Sequence, residues 1–283
     1  MADLITGNTQ LTATKQDLIA AVVQRELAFQ AKLSPYFTDV SMFAAPGAKQ
    51  ISFPRLSSFT VIDRASGVQG DASVLTASVD TLSLELNGYV AWIIDSSDAI
   101  QSSIAASLEF AKRAAAAQAR FVDTSIIAEL ESVGVPTATV GNLTAAVVLE
   151  MQETLLKNDA IASDLAMFIA PAQRTVLLQI SEFKSAEVYG GAAMIPSGVV
   201  GSLYGMPVVV HNGLTAQQYF MAEKSGLAYG FQMAPSYSEQ MANEFGSQAK
   251  RCVLDQLFGV EGMQKGLKGV SAGQSPLVIK DNN

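Results

Sequence analysis

Histidine and cysteine are the side chains best suited to act as base, nucleophile or soft metal ligand near neutral pH. They occur once each in this chain, as His211 and Cys252. A single cysteine excludes an intramolecular disulfide, and a single histidine leaves no soft-ligand cluster for zinc. Both read as packing residues. Asp95 and Asp98 stand close enough to suggest a carboxylate pair, but they open a run without glycine or proline that lasts to Val133, where they serve as helix caps. His211 would have to be the only histidine base, and no acid or nucleophile accompanies it at a fixed spacing. The chain has no Walker-type phosphate loop, no GxGxxG opening a helix and no GxSxG elbow. The expectation is a chain without catalytic, cofactor-binding or metal-binding residues.

The elements that would carry any other activity are prominent. Ile51-Ser-Phe-Pro-Arg-Leu56 and Phe59-Thr-Val-Ile62 lead to a tip, Arg64-Ala-Ser-Gly67-Val-Gln-Gly70-Asp71. The chain then returns through Leu82-Ser-Leu84-Glu-Leu86 with period-two alternation. At about 3.3 Å per residue, a dozen residues a side would reach about 40 Å, so this is a projecting β-arm. A two-stranded ribbon is marginal alone in water, which predicts that a neighbouring molecule covers it. Tyr89-Val-Ala-Trp92-Ile-Ile94 is continuously apolar, predicting a strand end buried on both faces with Trp92 as an anchor.

Behind the arm comes the longest helical pattern, from the caps at 95–98 to about Glu131. Ile104, Leu108, Ala111, Ala115, Ala119, Val122, Ile126 and Leu130 form one stripe at steps of three and four. Glu109, Lys112, Arg113, Arg120 and Asp123 fall mostly elsewhere, with Glu109 and Arg113 spaced as a surface pair. Small residues at Ala114–Ala117 let another backbone lie close across this spine.

The 283 residues are 49% hydrophobic and only 16% charged, against roughly a quarter charged in an average soluble domain. That low share predicts surface covered by partners. No apolar run approaches the roughly 20 residues of a membrane-spanning helix. The N-terminus lacks the basic start of a secretory signal, predicting a cytoplasmic protein. A net charge of −8 argues against general nucleic-acid binding, which needs clustered lysine and arginine.

Elsewhere, a helical pattern spans Thr12 to Leu33, ended by Ser34-Pro35. Gly134-Val-Pro136 breaks the spine and opens a second α/β section. Asn142 caps a helix carrying Leu143, Val147, Met151 and Leu155; Leu165–Ala170 reads as a buried strand, and Pro171 starts a short helix. Gly201-Ser-Leu203-Tyr-Gly205-Met-Pro207-Val-Val-Val210 reads as a turn feeding a strand, further strands follow at Tyr219–Ala222 and Gly226–Gln232, and two strand-like segments lie at Cys252–Leu254 and Leu257–Phe258.

In this order, the pieces resemble the major capsid proteins of tailed bacteriophages. The resemblance rests on Phe53-Pro-Arg55 through Asp98-Ala-Ile-Gln101 to Asp123, on Phe168-Ile-Ala-Pro171 with its helix, and on Gly201-Ser-Leu203-Tyr-Gly205-Met-Pro207-Val208. It implies an α+β chain with the Hong Kong 97-type capsid fold. Residues 1–49 would be an N-terminal arm and 50–94 an extended loop lying over an adjacent subunit. Residues 95–133 and 235–272 would be a peripheral domain with the long spine helix, 134–234 an axial domain, and 273–283 a C-terminal tail. The implied function is a structural subunit assembling into pentamers and hexamers of an icosahedral head around double-stranded DNA. An encapsulin-type nanocompartment shell is the alternative within this fold, and an α/β enzyme the alternative outside it.

An acidic chain is compatible with a DNA container, since a basic wall would hinder movement of the polymer inside. Candidate intersubunit contacts are Arg55, Arg64 and Asp71 on the arm, Leu82, Leu84 and Leu86 on its return, and Lys112 and Arg113 on the spine. About thirty-five residues precede the body, which implies a separate scaffolding protein rather than an internal scaffolding domain; a portal is the other implied partner. Some relatives cross-link their shells through a lysine in the extended loop. This chain has no lysine between Gln50 and Ile94, so the expected shell is non-covalent, assembled in the host cytoplasm.

Overall fold

The structure, a computed structural model, describes residues 22–23, 31–56, 77–95, 106–137, 143–177, 179, 199–242, 249–263 and 275–281. The start of the spine, the arm's tip and most of the N-terminal helical pattern lie outside these. Strands β1 (Thr38–Asp39), β2 (Gln50–Leu56), β3 (Ala77–Ser83) and β4 (Leu86–Ile94) precede helix α1 (Ala106–Val133). After β5 (Gly134–Pro136) come α2 (Ala145–Lys157), β6 (Leu165–Ile169) and α3 (Pro171–Leu177). The chain continues through β7 (Val199–Leu203), β8 (Met206–Val210), β9 (Tyr219–Glu223), β10 (Leu227–Ala242), β11 (Ala249–Gly262) and β12 (Ser275–Lys280).

Three sheets result. One has the order β1-β10-β11-β4, one β5-β12-β9-β6-β8-β7, and one pairs β2 with β3. Helix α1 lies across β11 and β4 of the first sheet. Its alanines allow this: Ala111, Ala114 and Ala115 pack against Cys252, Leu254 and Tyr237, with Val90, Trp92 and Ile94 alongside. Larger residues of the same stripe, Val122, Ile126 and Leu130, are fully covered further down the helix. There they join Phe168, Val209, Phe220 and Phe258 in one core shared by the two large sheets.

The six-stranded sheet is covered on both faces. Ala166 and Phe168 of β6 face the shared core, while Leu165, Met167 and Ile169 face a second core built with Val147, Met151 and Leu155 of α2. All five residues of β6 are buried, as its unbroken apolar run predicts. Tyr204 and Gly205 turn β7 into β8 with φ of 49° and 83°, the left-handed pair that a two-residue hairpin requires.

Several expectations need correction. The apolar run of β4 is not buried on both faces: Leu86, Gly88, Val90, Trp92 and Ile94 are half-buried, while Asn87, Tyr89, Ala91 and Ile93 are exposed. The reason is position, since among the described residues β4 is the edge of its sheet and α1 covers one of its faces. The cap of α2 is Thr144, whose Oγ1 accepts the Val147 N–H at 3.3 Å; Asn142 lies outside the described residues. The segments at 252–254 and 257–258 are parts of one strand, β11. Residues 275–280, read as part of a tail, form a strand between β5 and β9 inside the six-stranded sheet. Strand β10 runs through the boundary drawn at 234–235 without a break.

Candidate functional site: the arm, the spine and a buried joint

The arm is anchored at one end. Ile51 pairs with Leu82, and both are buried with Val40, Leu84 and Ala228. Outward along the ribbon cover is lost, and Val79, opposite Pro54, is 60% exposed. At the root, a Cβ added to Gly259 would overlap the carbonyl oxygen of Ser83, so β11 and the end of β3 approach to backbone contact. Leu84 N–H donates to the Lys49 carbonyl at 2.9 Å and closes the root.

This geometry separates the sequence-selected contacts. Leu82 and Leu84 are covered by their own chain and have no surface left for a neighbour; Leu86 is half-buried against the shared core. Alternation marks a covered face without saying which molecule covers it, and here the root of the same arm does. Arg55 stands opposite Ser78, well out along the ribbon, whereas Arg64 and Asp71 lie outside the described residues. On the spine, Lys112 is half-buried and Arg113 exposed; the Arg113 Nε lies 3.7 Å from Glu109, across a pair too solvated to contribute more than a few tenths of a kcal/mol.

Beside the spine lies a groove that the sequence reading did not single out. Asn87, Gly88, Tyr89 and Val90 form one wall and Ala117, Gln118 and Phe121 the other, around a cleft of about 350 Å³. Among the described residues, the outer edge of β4 carries no strand partner. Gln118 ties helix to sheet beneath, its Nε2 donating to the Leu254 carbonyl at 3.0 Å. Tyr89 at 68% and Ile93 at 46% exposure make this margin apolar, an unusual feature for an edge strand left to water.

A buried carboxylate lies where α1 meets the segment before β1 and the loop after β8. The Asp123 side chain is 3% exposed and lies among the apolar residues of the shared core. Its Oδ2 accepts the Lys32 N–H at 3.1 Å and faces His211 Nε2 at 3.0 Å, while Oδ1 accepts the Leu33 N–H at 3.2 Å. Gly213 N–H donates to His211 Nδ1 at 3.0 Å, which leaves Nε2 as the nitrogen that donates to Asp123. His211 and Asp123 were read as a packing residue and a polar spine position; the structure brings them together. Three donors make burial of the charge tolerable. The sequence held one hint, an aspartate immediately after Val122 of the apolar stripe.

A second acidic feature lies nearby in sequence. Glu129 accepts the Gly262 N–H at 3.0 Å, but burial outweighs that bond and raises its carboxyl above the ordinary value. Glu261 is raised by burial and then by the charge of Glu129. Tyr229 is pushed up to about 12, mainly by burial, with the charge of Asp39 adding and a hydrogen bond from Ser34 opposing. Among the described residues, no group of three or more histidine, cysteine, aspartate or glutamate side chains could hold a metal ion. Cys252 is buried and receives the Tyr237 hydroxyl at 3.2 Å. No helix among the described residues is long and apolar enough to cross a membrane.

No curated protein sequence matches the chain. Solved structures do. A Mycobacterium phage Che8 chain superposes with a TM-score of 0.70 at 17% identity, over 89% of this chain and 91% of that one. The capsid asymmetric unit of cyanophage Pam1 gives 0.67 at 10% identity, over 89% and 91%. The capsid of cyanophage P-SCSP1u gives 0.66 at 13% identity, over 87% and 85%. At such identities these matches establish a shared fold, the Hong Kong 97-type capsid fold. The model of the phage capsid protein family matches residues 24–245, well over half of the sequence. The chain therefore belongs to the phage capsid protein family and is a structural subunit of a phage head shell.

Proposed function

We propose that the subunit assembles into pentamers and hexamers of an icosahedral head that encloses double-stranded DNA, each β-arm lying over the spine of an adjacent subunit. The observation that carries this is the mismatch between covered and uncovered surface within one chain. Among the described residues, the arm is buried at its root, and the spine borders an apolar groove and a β4 edge without a strand partner. An extended segment supplied by a neighbour satisfies both. Burial of the Tyr89, Ile93 and Phe121 margins would add apolar area, and obligate interfaces of this kind exceed roughly 2,000 Å² in total. Several such contacts per subunit sum through multivalency, so no single one has to be strong. Contacts of this heterologous type close only because rings and shells close.

Arg55, Arg64 and Asp71 are the proposed ionic register contacts of the arm, with Lys112 and Arg113 on the spine. The enclosed DNA would be held without sequence-specific contacts, in keeping with a net charge of −8. The shell would be non-covalent, because the extended loop carries no lysine. Negative-stain electron microscopy of the purified protein tests assembly, with expression beside neighbouring genes if shells do not form alone. Closed shells or five- and six-membered rings are the expected result. Small species under both conditions would overturn it. Boiled particles should run as one monomer band in SDS, and ladders of multimers would overturn the non-covalent assignment.

A further inference from the structure

Asp123 joins three stretches far apart in sequence. It sits on α1, takes two backbone N–H groups from Lys32 and Leu33 of the N-terminal arm, and takes the imidazole of His211 from the loop after β8. The pair is well covered, with the Asp123 side chain 3% exposed and that of His211 12%. One oxygen, Oδ2, serves both an arm amide and the imidazole. The imidazole is itself held by Gly213 N–H at Nδ1, and the backbone N–H of His211 donates to the Ile169 carbonyl at 3.1 Å, so the residue that carries the ring is anchored to β6. Water kept from the carboxylate by the imidazole strengthens the bonds to the arm, and the arm does the same for the imidazole.

We infer that Asp123 is a positioning residue for assembly: it couples seating of the N-terminal arm on the spine to seating of the axial domain. The coupling is reciprocal by thermodynamic necessity, so whatever holds the axial domain in place also tightens the arm. Its meaning for assembly rests on the proposed shell, in which arm and axial domain meet different neighbours. A subunit whose axial domain is held in a ring would then present a firmly seated arm to the next contact.

The test is residue-resolved hydrogen exchange on the unassembled full chain, comparing the native protein with His211→Ala and His211→Gln. In His211→Ala, the Lys32 and Leu33 amides should exchange about tenfold faster while Ile126–Leu130 in α1 keep their protection. His211→Gln, which returns an N–H donor near the position of Nε2, should restore most of the lost protection. Unchanged exchange at Lys32 and Leu33 in His211→Ala would overturn the coupling, as would equal acceleration throughout α1 or failure of His211→Gln to rescue. Because the readout needs no shell, its failure leaves the assembly reading standing, and failure to form shells leaves this readout intact.

Discussion

At the scale of single residues, a buried polar group matters through the partners it would leave behind. Removing the carboxylate in Asp123→Ala strands the Lys32 and Leu33 amides and the His211 imidazole in a covered site. Each unsatisfied donor costs about 1–3 kcal/mol, so with three of them a loss of at least about 3 kcal/mol is expected in denaturant unfolding of the unassembled subunit. Glu129 and Glu261 have the opposite character. Both carboxyls are raised, so the folded state favours their protonated forms. The pair therefore costs nothing at a pH below the ordinary carboxylate range and destabilises the fold as pH rises through the elevated values. Glu261→Gln should raise the melting temperature near pH 7, because it removes a charge disfavoured first by burial and then by repulsion from Glu129, together about a few tenths of a kcal/mol at this half-exposed site, and the gain should vanish near pH 3. A gain of equal size at both values would exclude the ionised carboxylate as its cause.

At the scale of elements, the arm root and the spine are held by close approach rather than by bulk. Gly259 is required because the Ser83 carbonyl occupies the space of a side chain, and backbone cannot retreat as a flexible side chain would. Gly259→Ala should cost about 2–3 kcal/mol, measured by thermal melting, with the loss concentrated in protection of β2 and β3 amides. Much of this scale was legible beforehand. The stripe Ala111, Ala115, Ala119, Val122, Ile126 and Leu130 is the buried face of α1, because a 3.6-residue period needs no knowledge of the partner. The apolar run of β4 misled for a complementary reason. A sequence shows that Tyr89 and Ile93 are apolar, but whether a strand lies at the edge of a sheet depends on β11 and β10, more than a hundred residues later.

For the whole molecule, the informative feature is an apolar edge that no strand covers among the described residues. Ile93 is 46% exposed on the solvent face of β4 and contributes little to the subunit's own core. Ile93→Asp should leave the subunit's melting temperature nearly unchanged, within about 0.5 kcal/mol, as for other surface positions. In the assembly assay it should abolish or sharply reduce shells, because a charge would be buried without a partner. Normal shells from this variant would remove the β4 margin from the proposed interface. Lys112 and Arg113 would by contrast act through solvated charge, and their loss should matter less as salt rises.

The sequence by itself determined the parts list. Periodicity marked the spine and its buried stripe, alternation marked the arm, and the order of Phe168-Ile-Ala-Pro171 and Gly201 to Val208 pointed to the capsid fold that the superposed structures establish. These signals are local, set by the geometry of one helix or one strand. The tertiary structure decided what non-local contact alone can decide. It assigned Leu82 and Leu84 to the subunit's own root, drew residues 275–280 into the six-stranded sheet, left the β4 edge without a strand partner among the described residues, and set His211 against Asp123 across 88 positions of chain. Such pairings depend on which distant segments fold against each other, and no spacing within a single segment records them.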